Sequence, residues 1–481
     1  MNKYLKKTKI IATLGPASSN RETMIELIKA GVDVFRINFS HADYDLVRKN
    51  VETIRNINEE FGYSVSILGD LQGPKLRVGV VKEGSYLNPG DVLTFTNEKI
   101  EGDSEKVYMT YQKFPQDVKV GERILIDDGK LVLQVIETNE TDTVKAITIQ
   151  GGPLSSKKGV NLPNTNVSLP ALTEKDIEDA NFALDLQLDW IALSFVRHAQ
   201  DIIDLKKLIT NHPTNNFKTP IIAKIEKPEG VRNIEEILQE CDGLMVARGD
   251  LGVEVPMEEV PAIQKNLVEK ARKFSKPVII ATQMMETMIT SLTPTRAEVN
   301  DVANSVLDGA DAVMLSGETS VGRYPVDVVK NMSKIVKKIE RTHFYQSKNA
   351  PIEHEFNCID DRFITNRICL AAVRIAKTTN VEAIVTLTYS GYTAFQISAH
   401  RPNSHIIIYS SNQRVITMLN LLWGVRAFYY NTKKSTDETI VEVNQLTYEN
   451  GFVEDGDFII NLNAMPANES GKTNTLRLTT V

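Results

Sequence analysis

Two short apolar runs between Ile221 and Pro256 each end abruptly in charge. Ile221-Ile222-Ala223 gives way to Lys224 and Glu226, and Gly243-Leu244-Met245-Val246-Ala247 gives way to Arg248, Gly249 and Asp250. A run that is apolar at every position reads as a strand buried on both faces, as in parallel sheets. Charges at the exit of such a strand sit where barrel enzymes keep their chemistry. Two carboxylates there can hold a hard divalent cation, with a lysine beside them to neutralise a phosphate. The plain alternative is a pair of structural salt bridges at the barrel mouth.

Residues so placed need a frame, and the chain supplies one. Eight strand-like runs recur in order: KIIATLGP, VFRINFS, SVSILGD, WIALSFV, PIIAKIE, GLMVARGD, PVIIATQM and DAVMLSGE. Amphipathic segments such as NRETMIELIKAG and PAIQKNLVEKARKF lie between most of them. Eight strands alternating with helices predict a closed (β/α)8 TIM barrel.

The spacing breaks once, between SVSILGD and WIALSFV. The intervening stretch reads as short β-segments: LNPGDVLTF, KVYMTY, ERILIDDGKLVLQVIE and TVKAITIQGG. Asp127-Asp128-Gly129 between two alternating runs is a hairpin signature. Pro74 and Pro170, near the two ends, suit stiff hinges for a small domain that closes over the site and excludes water. After a helical segment around Pro325–His343 comes the polar stretch SKNAPIEHEFNCIDD, and from about Arg362 an open-sheet α/β pattern begins. The expected organisation is 1–72 with 170–345 as the catalytic barrel and 73–169 as an inserted all-β lid. Residues 346–481 form a C-terminal α/β domain for regulation and oligomerisation.

Composition narrows the partners. At 481 residues the chain exceeds what one core supports. The net charge of −7, with no basic tract to offset it, argues against nucleic acid. No apolar run approaches the ~20 residues that cross a bilayer, and the basic start MNKYLKKTKII leads straight into a strand; a cytoplasmic protein is expected. Cys241, Cys358 and Cys369 lack metal-site spacing and read as small apolar residues.

Taken together, the ordered motifs resemble those of the pyruvate kinase family over nearly the whole chain. They are INFSH at 37–41, SKKGVNLP at 156–163, KIE at 224–226, MVARGDLGVE at 245–254, ATQMMETMI at 281–289, PTRAE at 294–298 and LDGADAVMLSGETSVGRYP at 307–325. The resemblance implies transfer of a phosphoryl group from phosphoenolpyruvate to ADP, giving pyruvate and ATP. It places Mg2+ (or Mn2+) on Glu226 and Asp250, and Lys224 at the transferring group and developing enolate. The substrate carboxylate would rest on Gly249, Asp250 and Thr282. Arg36 and Arg77 would grip the phosphoryl group and nucleotide, and Lys158 the nucleotide phosphates. His41 stands either near the nucleotide or as a structural histidine. The enolate's proton has three candidate sources: Thr282, Ser316 with Glu318, or an ordered water.

One segment departs from the family pattern. Where most members carry D-T-K-G-P-E-x-R, this chain has Asp70-Leu71-Gln72-Gly73-Pro74-Lys75-Leu76-Arg77. The usual glutamate accompanies a bound K+; its replacement by Lys75, beside the retained Asn38, Ser40 and Asp70 and with Leu71 at the place of the usual threonine in that site, resembles the branch that works without K+. The other reading leaves Lys75 in solvent and K+ in place.

In the C-terminal part, Thr388-Tyr389-Ser390-Gly391-Tyr392-Thr393 resembles the family's effector-phosphate loop, with Thr388, Ser390, Gly391 and Thr393 as candidates for an allosteric sugar phosphate or nucleotide. A simple strand-to-helix turn fits equally. The tail NESGKTNTLR at 468–477 lacks the leading glycine of a P-loop and reads better as an effector-site loop. Arg248-Gly249-Asp250 ends a buried strand and is not an adhesion motif. The family resemblance further implies a homotetramer. The competing functions are a non-catalytic phosphometabolite-binding homologue and another Mg2+-enolate barrel enzyme, such as an aldolase or lyase.

Overall fold

The structure is a computed structural model describing residues 5–213, 217–343, 345, 362–431, 434–465 and 472–481. Cys358, the expected boundary at 346 and residues 468–471 of the tail lie outside these, as does the side chain of His41.

All eight predicted runs are strands of one closed parallel barrel: Lys9–Thr13, Val34–Asn38, Ser66–Asp70, Trp190–Leu193, Ile221–Ile225, Gly243–Ala247, Val278–Ala281 and Ala312–Leu315. Seven are buried at every position, because side chains on one face fill the barrel and those on the other meet the helices; Val34–Asn38 is half-buried only at Asn38. The helices carry their own punctuation. Thr295 and Glu298 form a reciprocal capping box at the start of Arg296–Asp308, and Gly309, at φ 100°, ends that helix in the left-handed region.

The insertion leaves the barrel after Ser66–Asp70 and returns before Trp190–Leu193, yet these strands pair directly, Ile191 opposite Gly69. It folds as a six-stranded sheet with its own core, including Leu93, Phe95, Ile124, Leu133 and Val144. The Asp127–Gly129 hairpin forms, with φ of 54°, 56° and 83° along it, between Arg123–Ile126 and Leu131–Thr138.

The C-terminal sheet holds four parallel strands in the order Val425–Tyr429, His405–Ser410, Ala383–Leu387 and Phe458–Asn463. A fifth, Thr475–Thr480, runs antiparallel on its edge. This strand was not expected; its TLRLTT sequence is partly exposed and lacks the apolar run of a central strand. The sheet's unit packs on the N-terminal face of the barrel through a shared apolar core and a set of polar ties. Lys9 Nζ donates to Val425 O at 2.9 Å, and the Trp190 indole to Met418 O at 3.0 Å. Arg401 forks onto Asp311 at 3.0 and 2.7 Å. Among the described residues no helix is long and apolar enough to cross a membrane.

Candidate active site

The exits of adjacent barrel strands gather the predicted charges into one cavity of about 90 Å³. Arg36 projects from the middle of Val34–Asn38 and Asp70 ends the next strand, and the guanidinium Nε donates to Asp70 Oδ2 at 2.7 Å while Nη1 reaches Thr13 Oγ1 at 3.1 Å. Lys224 Nζ sits 3.0 Å from Asp70 Oδ1 and 3.1 Å from Glu226 Oε1, and bonds Ser194 Oγ at 2.5 Å. Burial opposes the charge on Lys224, but Asp70 and Glu226 outweigh it and hold its pKa above the usual lysine range. Burial likewise opposes ionisation of Asp70, and Lys224 and Arg36 overcome it, lowering its pKa. The centre is therefore a charged, water-poor cluster in which both cations are fixed by a carboxylate between them.

Glu226 is placed by backbone strain. Phe195, in the left-handed region at φ 54°, donates its N–H to Glu226 Oε2 at 2.7 Å. Burial drives the Glu226 carboxyl up, Lys224 pulls it down and Asp250 pushes it up again, leaving it at about 7. A second carboxylate, Asp250, close enough to raise the cost of ionising Glu226 makes with it a donor set suited to a divalent cation, which removes that repulsion. No group of three or more His, Cys, Asp or Glu is spaced to hold a metal among the described residues. The remaining coordination positions would thus fall to substrate oxygens and water.

Thr282 lines the same cavity at φ 68°, with Gln283 following at 54°. Its hydroxyl accepts the Gly249 N–H at 2.7 Å and donates to Ala281 O at 2.6 Å. The Gly249 amide is thereby committed to Thr282. Arg248 braces this turn, forking onto Asp301 at 2.6 and 2.8 Å and donating to Thr282 O at 2.8 Å.

A larger cleft of about 530 Å³ opens between barrel and insertion, lined by Arg77, Lys158, Asp250 and Lys75 among others. Lys158 pairs with Asp127 Oδ1 at 2.9 Å across the hairpin turn. Lys75 is exposed and borders both cavities, and Asn38, Ser40, Asp70 and Leu71 line the smaller one with it.

A pyruvate kinase barrel-domain family model matches residues 5–329, and a pyruvate kinase alpha/beta-domain model matches residues 366–479. The chain belongs to the pyruvate kinase family. A Mycobacterium intracellulare pyruvate kinase is 41% identical over 474 residues, 98% of each chain. Pyruvate kinase 2 of a Synechocystis species is 42% identical over 483 residues, 99% of this chain and 79% of its own length. The crystal structure of a pyruvate kinase from Cryptosporidium parvum superposes with a TM-score of 0.91 at 36% identity, covering 99% of this chain and 96% of that one.

Against this family background, the predicted pair Ser316 and Glu318 stands apart from the cavity, and Gly249 does not line it either. The Glu318 carboxylate accepts the N–H groups of Ser316 at 2.6 Å and Met285 at 3.2 Å, tying two loops together. The loop at 388–393 is a separate place. Thr388 Oγ1 accepts the Gly391 N–H at 2.9 Å, and Thr393 and Thr473 hydroxyls meet at 3.0 Å. Sequence reading missed Ser194, Phe195 and Gln72 as cavity residues. The signal was present for Ser194, a hydroxyl at the exit of an otherwise apolar barrel strand.

Proposed function

We propose that the chain is a pyruvate kinase in activity, moving the phosphoryl group of phosphoenolpyruvate to ADP at the barrel mouth. The observation that carries this is Lys224, kept charged between Asp70 and Glu226 in one cavity with Arg36. Phosphoryl transfer asks the protein for positioning and charge neutralisation more than for covalent chemistry. Arg36 and Lys224 offer fixed positive charge to the transferring group, and Lys224 stays in place as negative charge grows on the enolate oxygen. The O–P bond of phosphoenolpyruvate breaks as a terminal oxygen of ADP bonds to phosphorus, and the enolate carbon then takes a proton to give pyruvate. Of the candidate proton sources, Thr282 lines the cavity wall and Ser316 and Glu318 do not, which leaves Thr282 or an ordered water to deliver that proton. Glu226 and Asp250 are the residues suited to hold Mg2+ or Mn2+, which when bound supplies positive charge to substrate oxygens. Arg77 and Lys158, in the larger cleft, suit the nucleotide phosphates.

The same reading takes 1–72 with 170–345, 73–169 and 346–481 as barrel, lid and C-terminal domains. It also includes a homotetramer in the cytoplasm and an effector phosphate at Thr388–Thr393; family membership supports both. Pyruvate release from phosphoenolpyruvate, ADP and Mg2+ tests the core statement. Steady turnover is expected, and none, with sugar phosphates supplied, would establish the non-catalytic binder instead.

Lys75 supplies in this reading the charge that K+ provides elsewhere in the family. Its position beside the cavity, with Asn38, Ser40 and Asp70, supports the substitution. The expected result is full turnover without K+ in the natural chain. A Lys75→Glu variant is expected to lose at least tenfold in K+-free buffer and regain most of it on adding KCl. Equal activity of that variant with and without K+ overturns the assignment.

A further inference from the structure

The residues beside the two candidate metal carboxylates lead away from the cavity into a second cluster that the proposed chemistry does not use. Lys227 follows Glu226 and donates from Nζ to Glu254 Oε1 at 2.7 Å. Glu254 lies one turn beyond Asp250 in the helix Arg248–Glu254. The same oxygen, Glu254 Oε1, accepts Asn161 Nδ2 at 2.8 Å. Lys227 and Glu254 belong to the barrel and are 8% and 3% exposed, while Asn161 lies on the insertion's edge strand Val160–Asn161. One buried carboxylate oxygen is thus shared between the two bodies that enclose the cleft.

We propose that the Asn161–Glu254 hydrogen bond is the latch that holds the insertion down on the barrel mouth, with Lys227 fixing its receiving end. A charged acceptor in a buried setting makes this bond stronger than an ordinary amide pair. The insertion's returning chain is held by a tie of a different kind: the Arg197 guanidinium binds the carbonyls of Val167 and Leu169, holding a hinge at the same cleft. Opening the cleft therefore breaks the latch and leaves the hinge whole. A ligand whose contacts come from both walls gains affinity from the latched state. A ligand held by barrel residues alone is indifferent to it. Glu254 and Lys227 are positioning residues, since each is next to, or one turn from, a carboxylate of the site.

The choice of ADP as the cleft's ligand rests on the proposed reaction, and the test separates the two. Asn161→Asp sets a second carboxylate against Glu254. The dissociation constant for ADP with Mg2+, read by calorimetry, is expected to rise at least fivefold, while that for phosphoenolpyruvate with Mg2+ stays within twofold. Asn161→Ala is expected to weaken ADP in the same direction by less. The double variant Asn161→Asp with Glu254→Gln restores one carboxylate, one amide and the lysine, and is expected to return ADP binding to within twofold of the natural chain. Unchanged ADP affinity in Asn161→Asp overturns the latch. So does a parallel loss of phosphoenolpyruvate affinity, or a double variant as weak as the single. A natural chain that binds ADP but releases no pyruvate sinks the proposed reaction and leaves the latch result standing. One that binds no ADP overturns both.

Discussion

Glu226→Gln is expected to abolish turnover and, in the same protein, to raise thermal stability measured at pH 8 with a chelator present. The first effect follows from losing one of the two carboxylates suited to the divalent cation, with an expected fall in kcat of at least ~10³-fold. The second follows from linkage. Glu226 titrates at about 7 in the fold against an ordinary value of 4.5, so between these pH values the folded chain binds more protons than the unfolded one. Stability contributed at acid pH is lost as pH rises through this window, and above about 7 the deprotonated carboxylate lies at its full disadvantage. Glutamine carries no such charge and keeps an oxygen to accept the Phe195 N–H. The gain is about 1–3 kcal/mol, discounted for the coupling with Lys224, and appears as a melting temperature a few degrees higher. At pH 4.5 the difference should vanish. A variant less stable than the natural chain at pH 8, or a gain that persists undiminished at pH 4.5, would contradict this account.

Asp311→Ala is expected to be the most damaging substitution at the base of the barrel, costing about 3–5 kcal/mol. Asp311 is 3% exposed and receives both arms of Arg401, with the N–H groups of Val278 at 3.0 Å and Trp423 at 3.2 Å. Removing it strands a guanidinium that is itself 4% exposed and stacked over Trp423 at 5.0 Å. Arg401→Leu is the milder change, because Asp311 keeps its two backbone donors. The double variant should recover part of what Asp311→Ala loses, since no buried charge is then left unpaired. Urea denaturation followed by tryptophan fluorescence reads the order directly: Asp311→Ala lowest, the double variant between it and Arg401→Leu. Midpoints for all three equal to that of the natural chain would mean that the pair contributes nothing to docking the C-terminal sheet.

The barrel was legible because most of its strands are short, largely apolar runs that end in a change of character, and eight of them alternating with helices suit a closed ring. The site was legible for the same reason: Lys224, Glu226 and Asp250 stand out as charges where an apolar run stops. Partnerships across the fold were not. Asn161 and Glu254 lie 93 positions apart, and nothing local marks either as the other's partner. Lys9 and Arg401 carry charges that a linear reading assigns to the surface, whereas both are buried beneath the barrel. Phe195 was invisible as a site residue because it acts through its backbone, in a conformation set by the loop and not by its side chain.

The direct pairing of Ser66–Asp70 with Trp190–Leu193 has a consequence for how the chain reaches its fold. Ile67 donates its N–H to Asp189, 122 positions on, so this ring closes only after a long excursion. The excursion has its own sheet and apolar core, and it leaves the ribosome before the strand it must wait for. Once it collapses, its two ends lie close together, and the loop to be closed shrinks from the whole insertion to the hinge peptides. A reduction from ~120 to ~20 free residues lowers the closure entropy by about 1.5 kcal/mol. The insertion thereby serves the barrel as a splint during synthesis, bringing the third and fourth strands within reach before the second half of the ring exists.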